Sequence, residues 1–296
     1  MDFETLKSSQ SNFDKITKAL EQNISPEDAT NKSKYTDERI WKPELDKTGN
    51  GYAVIRFLPA TAKEEMPWVR VWSHAFQGPG GWYIENSLTT LGTKEPVSVE
   101  NTRLWNTGVD ADKEIARKRK RKLSYYSNIY VVSDPKHPEN EGKVCLFKYG
   151  KKIFDKITEA MQPAFDDEKP INPFDFWKGA NFKLKIRKVD GFWNYDKSEF
   201  EAVKPLAEDD EKIKAIWAKQ YALQPFLAPD NFKTYDELKE KLNRVISGTR
   251  NTETVDNVAI ASEPVKVKSD DVNTQVKAKN EEDDTLSYFS KLAEQA

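Results

Sequence analysis

The sequence predicts an α+β chain, a block of strands followed by helices, with polar stretches at both ends. Three observations carry this. Short apolar or alternating runs, punctuated by Gly, Pro and Asn turns, fill residues 41 to 200. Helical spacing takes over from about residue 200 to Gly248. Aromatic residues are dense through this body, with eight Trp, eleven Tyr and fifteen Phe in all, yet none falls between Gly248 and Tyr288. A disordered chain does not carry such a load of aromatics, and 296 residues at 37% hydrophobic suffice for a core with polar extensions. The expected division is an arm over 1–30, a body over 31–248 and a flexible tail over 249–296.

The elements follow in order. In the arm, SNFDKITKAL spaces Phe13, Ile16 and Leu20 helically behind Ser11 as N-cap. SPEDATNKSKYTDE reads as a polar linker. TGNGYAVIRFLPA is a turn leading into a strand, Tyr52 to Leu58, stopped by Pro59. WVRVWSHAF alternates, placing Trp68, Arg70, Trp72, His74 and Phe76 on one face. GPGGWYIE reads as a hairpin turn with its return strand, and SYYSNIYVV as a further strand. VCLFKYG is another, running into a helix KKIFDKITEAM with Ile153, Ile157 and Met161 spaced by four. NFKLKIRKV turns Phe182, Leu184 and Ile186 one way and Lys183, Lys185 and Arg187 the other. DGFWNYD is a turn with three aromatics. Two helices close the body: DDEKIKAIWAKQYAL, and TYDELKEKLNRVISG with a Thr234–Glu237 capping box and a stop at Gly248. The tail ends in an acidic cluster and a short amphipathic pattern, Leu286, Phe289 and Leu292.

Several classes are disfavoured. No apolar run reaches about 18 residues, as a membrane span needs. MDFETLKSSQ lacks the pattern of a secretory signal. The single cysteine, Cys145, forms no internal disulfide and reads as a strand residue of an intracellular protein. With two histidines, His74 and His137, and no phosphate-loop, dinucleotide or nucleophile-elbow motif, no nucleophile–base pair can be assembled. The acid clusters at 166–168 and 209–211 suit loops and helix starts. One Cys and two distant His do not supply a zinc site.

Charge points elsewhere. The near-neutral total hides a segregation: residues 113–152 carry 12 Lys/Arg against 4 Asp/Glu, and residues 251–296 carry 5 Lys against 10 Asp/Glu. The core of the first stretch is RKRKRKLSYYSNIYVV, six consecutive cations followed by two tyrosines. Single-stranded nucleic acid is held by cationic grooves that track phosphates and by aromatic faces on which bases stack. Taken singly, a charge run is a solvated face and a tyrosine is as often core as contact. Their interleaving here favours nucleic acid. The candidates are Arg56, Trp105, the block 117–122, Tyr125, Tyr126, Phe147, Phe192 and Tyr195, with the basic strand face Lys183 and Lys185. Tyr125 and Tyr126 point to opposite faces, so one of them is expected in the core. An anionic tail would compete for the groove or dock on basic partner proteins.

The stretches GNGYAVIRFLP (49–59), GGWYIE (80–85), KRKLSYYSNIYVVSDP (120–135), PENEGKV (138–144), YGKKIFDKI (149–157) and WKGANFKLKIRKVDGFWNYD (177–196) come in a shared order. In them the chain resembles the helix-destabilising, single-stranded-DNA-binding protein family of T-even-type bacteriophages. The resemblance covers roughly residues 41 to 200; the later helices and tail match in character only. It implies an OB-fold core, a Greek-key β-barrel, with a small extra β-subdomain and C-terminal helices. It further implies an N-terminal arm for self-association along the strand, and an acidic C-terminal segment contacting phage replication and recombination proteins. The setting would be the cytoplasm of an infected bacterial host. Carried over by position, Arg56, Lys120, Arg121, Lys122, Tyr125, Tyr126, Phe147, Phe192 and Tyr195 fall on DNA-contacting positions; Trp105 lies in a loop, 93–116, that aligns poorly. The family holds zinc with one His and three Cys. Here His74 is kept, Ser87 and Ser98 stand at cysteine positions, and a third falls in a gap before Pro96, so no zinc is expected. Packing by Trp68, Trp72 and Trp82 is expected to hold that region instead. The arm's basic motif is diluted by Asp2, Glu4 and Asp14 around Lys7-Ser8-Ser9. An RNA-binding role stays open beside DNA, since nothing in the sequence reads a 2′-hydroxyl.

Overall fold

The computed structural model describes residues 37–165, 167–189 and 191–248. The expected arm helix and the acidic tail lie outside them. The chain forms two compact units. The first takes the chain up to His74, Ile84–Lys94 and Arg121–Tyr235; the second takes Ala75–Tyr83, Glu95–Lys120 and the chain from Asp236.

The first unit is built on a sheet ordered β1-β6-β5-β2-β7-β8, with β3 pairing β5 and β9 pairing β7. Its main strands are β2 (Gly51–Phe57), β5 (Lys122–Ser133), β6 (Val144–Tyr149) and β7 (Phe182–Val189). The short ones are β1 (Ile40–Trp41), β8 (Phe192–Asn194) and β9 (Glu199–Phe200). The pairings are antiparallel except β1 with β6. The 12-residue β5 organises the sheet. Its first half pairs β3 (Val69–Gly78), its second half pairs β2, and β6 lies along its other edge.

Alternation decides what each strand buries. On β7, Phe182, Leu184 and Ile186 enter the main core while Lys183, Lys185 and Arg187 face outward, as the sequence predicts. Ala53, Ile55, Phe57, Tyr125, Ile129, Val131, Phe147 and Tyr149 share that core. Helix α3 (Lys151–Met161) packs Ile153, Ile157 and Met161 into it, confirming the spacing of four. The opposite face of β5 is also covered. Tyr126 packs with Val69, Val71, Leu223 and Leu227. Asn128 grips that covering segment, donating to the Tyr221 carbonyl at 2.8 Å and accepting from its N–H at 2.9 Å. Helix α4 (Asp210–Trp217) seats Ile213 against Leu58, Val144 and Phe176.

The second unit holds more helix than the small extra β-subdomain that the resemblance implies. It holds the turn between β3 and β4 (Gly81–Asn86), helices α1 (Pro96–Asn106) and α2 (Asp110–Lys118), and α5 (Tyr235–Ser247) from Asp236 on. The sequence read 93–116 as a loop. α1 starts at Pro96 behind a Glu95 cap, and α2 buries only Ala116, so neither shows a wide apolar stripe. Gly80 is required where α5 meets the hairpin: a Cβ there would lie 2.1 Å from the Arg244 carbonyl. Among the described residues no helix is long and apolar enough to cross a membrane.

Candidate nucleic-acid interface

In the first unit, exposed aromatics and outward cations meet on the β7–β8 hairpin. Register places Lys188 opposite Trp193 and Val189 opposite Phe192. Phe192 is 77% exposed and Trp193 44%. The Lys188 ammonium lies 5.9 Å from the Trp193 ring. That ring is braced from below by the turn at Gly49, whose positive φ of 84° is set by an Asp46 carboxylate accepting from the Thr48 and Asn50 N–H groups. A Cβ at Gly49 would stand 3.0 Å from the Trp193 ring, so the glycine lets the ring lie on bare backbone. The cations of β7 have local partners. Lys183 faces Glu201 at 3.4 Å, Lys185 faces Glu199 at 2.8 Å, and Arg187 grips Asp196 through two nitrogens. Asp196 holds the Arg187 guanidinium above its usual range, and Lys185 holds the Glu199 carboxyl below its own.

A second cationic–aromatic group lies where β3 pairs β5. Arg70 is opposite Tyr125 and Trp72 opposite Leu123, so Arg121 is the diagonal neighbour of Trp72. Its guanidinium is 4.1 Å from the centre of the Trp72 ring. Burial holds Arg70 below its usual pKa. Lys122 is exposed at the start of β5.

In the second unit, Trp105 is half-buried against Leu104 and Ala116, with Arg117 at 5.4 Å from its ring. Arg117 and Lys118 end α2 and Arg119 caps it, where cations suit the helix dipole. Lys120 is half-buried.

Four of the expected contacts lie buried in the structure. Arg56 is fully buried; its guanidinium donates to the carbonyls of Asp175 and Lys204, each at 2.9 Å. Burial draws its pKa down to about 10, so it stays charged at neutral pH. Phe147 is a core ring beside Trp41 and Tyr149. Tyr125 lies under Phe154, ring centres 3.9 Å apart, and burial raises its hydroxyl to about 12. Tyr126 lies under Phe226 at 4.4 Å on the other face. The tyrosines do point to opposite faces, but both faces are covered. Tyr195 is half-buried against the main core. Trp72, Trp193, Arg70 and Lys188 stand in these cationic–aromatic groups without having been expected there. The signals were present: the WVRVW alternation puts Trp72 beside Arg70, and Trp193 belongs to the aromatic turn GFWNYD.

Comparison with known proteins agrees with this chemistry. The family described as "gp32 DNA binding protein like" matches residues 49–246. The chain belongs to this gp32-like family. The single-stranded DNA-binding proteins of Enterobacteria phages T2 and T4 are each 37% identical to it over 264 residues, 86% of this chain and 85% of theirs. That of Enterobacteria phage RB70 is 39% identical over 90 residues, 30% of this chain and 77% of its own.

In this gp32-like chain Ser87 and Ser98 stand where the resemblance implies cysteines. Among the described residues no group of three His, Cys, Asp or Glu side chains gathers as a metal would require. Ser87 instead caps the turn Leu88–Leu91, its hydroxyl 2.9 Å from that of Thr89. The Ser98 hydroxyl and N–H both donate to one oxygen of buried Glu95, at 2.8 and 2.6 Å. The tryptophan packing expected here is corrected in two of three places. Trp68 belongs to the main core and Trp82 is 57% exposed. In the second unit the packed pair is Phe76 on Tyr83, ring centres 5.0 Å apart and nearly parallel.

Proposed function

We propose that this chain binds single-stranded DNA without reading its sequence. It would coat transient single strands in phage replication, recombination and repair, inside the infected host, and would take no chemical step on them. The observation that carries this reading is the β7–β8 hairpin, which presents two exposed rings, Phe192 on the face that carries Lys183, Lys185 and Arg187, and Trp193 beside Lys188 on the other. Rings stack on any base and cations hold any phosphate, so the pairing is indifferent to sequence. Arg121 and Lys122 extend the cationic contact. Preferential binding of the single strand would pull duplex apart by mass action.

We read the first unit as an OB-fold, supported by one interior shared by β2, β5, β6 and β7 and by a helix between β6 and β7 filling that interior. We also assign self-association to the arm, and partner binding to the tail, on the excess of five negative charges over residues 251–296. The donor set around His74 supports function without zinc.

The test is competition by anisotropy between oligo-dT, the matching oligo-U and duplex DNA. Oligo-dT is expected to win, and Phe192→Ala to weaken its binding by about 1–3 kcal/mol. Equal competition by duplex would defeat the reading; stronger competition by oligo-U would move it to RNA.

A further inference from the structure

Arginines and lysines alternate from Arg117 to Lys122, and each of the three arginines is laid over an aromatic ring. Arg117 lies 5.4 Å from the Trp105 ring centre and Arg119 5.6 Å from that of Phe76, both within the second unit. Arg121 lies 4.1 Å from that of Trp72, within the first. All three fall inside the roughly 6 Å at which a guanidinium is attracted to a ring face, and the third is the tightest.

Trp72 is an unusually fixed base for such a contact. One edge of its backbone is paired into the sheet opposite Leu123 of β5. On the other, its N–H donates to the Thr90 hydroxyl at 2.8 Å and its carbonyl accepts from the Ser87 N–H at 2.8 Å. The short turn that Ser87 caps therefore sets where the Trp72 ring stands. The ring in turn sets where the Arg121 guanidinium lies.

We propose that Trp72 is a positioning residue for single-strand binding. Its ring holds the Arg121 guanidinium in place to grip a backbone phosphate, so that position 121 requires arginine and not merely positive charge. This rests on the single-stranded-DNA reading above. The physical reason lies in the shape of the group. A planar guanidinium stacks on a ring by its face while donating hydrogen bonds from its edge, whereas a lysine ammonium is a compact charge on a mobile stem. A long side chain gives up rotamer freedom when it grips a phosphate. One already resting on a ring has given up part of it beforehand.

The test measures oligo-dT affinity across a salt series for wild type, W72L, W72F, R121A, R121K and the double variant W72L/R121A, with thermal unfolding alongside. R121A is expected to weaken binding on the order of tenfold. It should also make the log–log salt slope shallower by roughly 0.7, one phosphate contact. W72L should weaken binding on the order of two- to fivefold, with W72F restoring most of it. R121K should lose as much as W72L despite keeping its charge. In the R121A background, W72L should cost nothing more. If W72L weakens binding equally with and without Arg121, Trp72 acts on its own and the proposal is overturned. Should W72L not fold, R121K decides: wild-type affinity there overturns it as well. Absence of salt-sensitive binding by the wild type would instead defeat the functional reading beneath it.

Discussion

Arg56 shows how burial changes the meaning of a charge. It sits on β2 opposite Tyr130, and its side chain hydrogen-bonds carbonyls from two distant stretches of chain, at Asp175 and at Lys204. Removing it would take the donor from both carbonyls, of which the one at Asp175 is buried. Arg56→Ala is therefore expected to cost about 3 kcal/mol of stability, read by chemical denaturation. Its oligo-dT affinity, measured at low temperature where it is folded, should stay within about twofold of wild type. A large affinity loss with intact stability would return Arg56 to the DNA contacts. In the sequence, Arg56 between Ile55 and Phe57 looks like an exposed cation on an alternating strand. What hid its role is non-local: the segment that covers it comes more than 100 residues later.

At the scale of elements, β7 and α3 were legible because each carries one uninterrupted period, two or nearly four, across a single buried face. α1 and α2 were not, because α1 buries polar Ser98 and Asn101 among its apolar positions and α2 buries only Ala116. That both Tyr125 and Tyr126 are covered escaped the sequence for a related reason. Strand alternation gives the two faces of β5, but only α3 and the segment 221–227 reveal that both faces are covered. One link between elements is sensitive to pH. His137, after β5, bridges Glu139 at 2.9 Å and Glu44, after β1, at 2.6 Å. These acceptors, Glu139 foremost, raise the imidazole above its ordinary 6.5, and His137 foremost lowers Glu44 below its ordinary 4.5. A histidine raised on folding adds stability that is full below about 6.5 and fades as pH climbs through the raised value. A lowered glutamate adds stability that is full above about 4.5 and fades below it. The bridge should thus be strongest between roughly 4.5 and 6.5. His137→Ala is expected to lower the melting temperature more at pH 5.5 than at pH 8.5; an equal drop at both would show that the bridge adds nothing.

For the whole molecule, the segregation of charge matters more than its sum. A net charge of −2 conceals a body rich in cations beside aromatic rings and a tail rich in acids. Several of the outward cations already have carboxylate partners, as Lys185 has Glu199 and Arg187 has Asp196. Phosphates must displace these exposed partners, which are worth little each. Each phosphate neutralised still releases counterions from the DNA, so binding should weaken as salt rises. The most direct test is titration of the intrinsic Trp and Tyr fluorescence with oligo-dT across a salt series, set against duplex DNA. The account predicts strong quenching by the single strand, weaker binding of duplex, and a log–log slope of roughly −0.7 for each phosphate neutralised. Absence of quenching, or binding indifferent to salt, would contradict it and leave the run from Arg117 to Lys122 as a solvated surface.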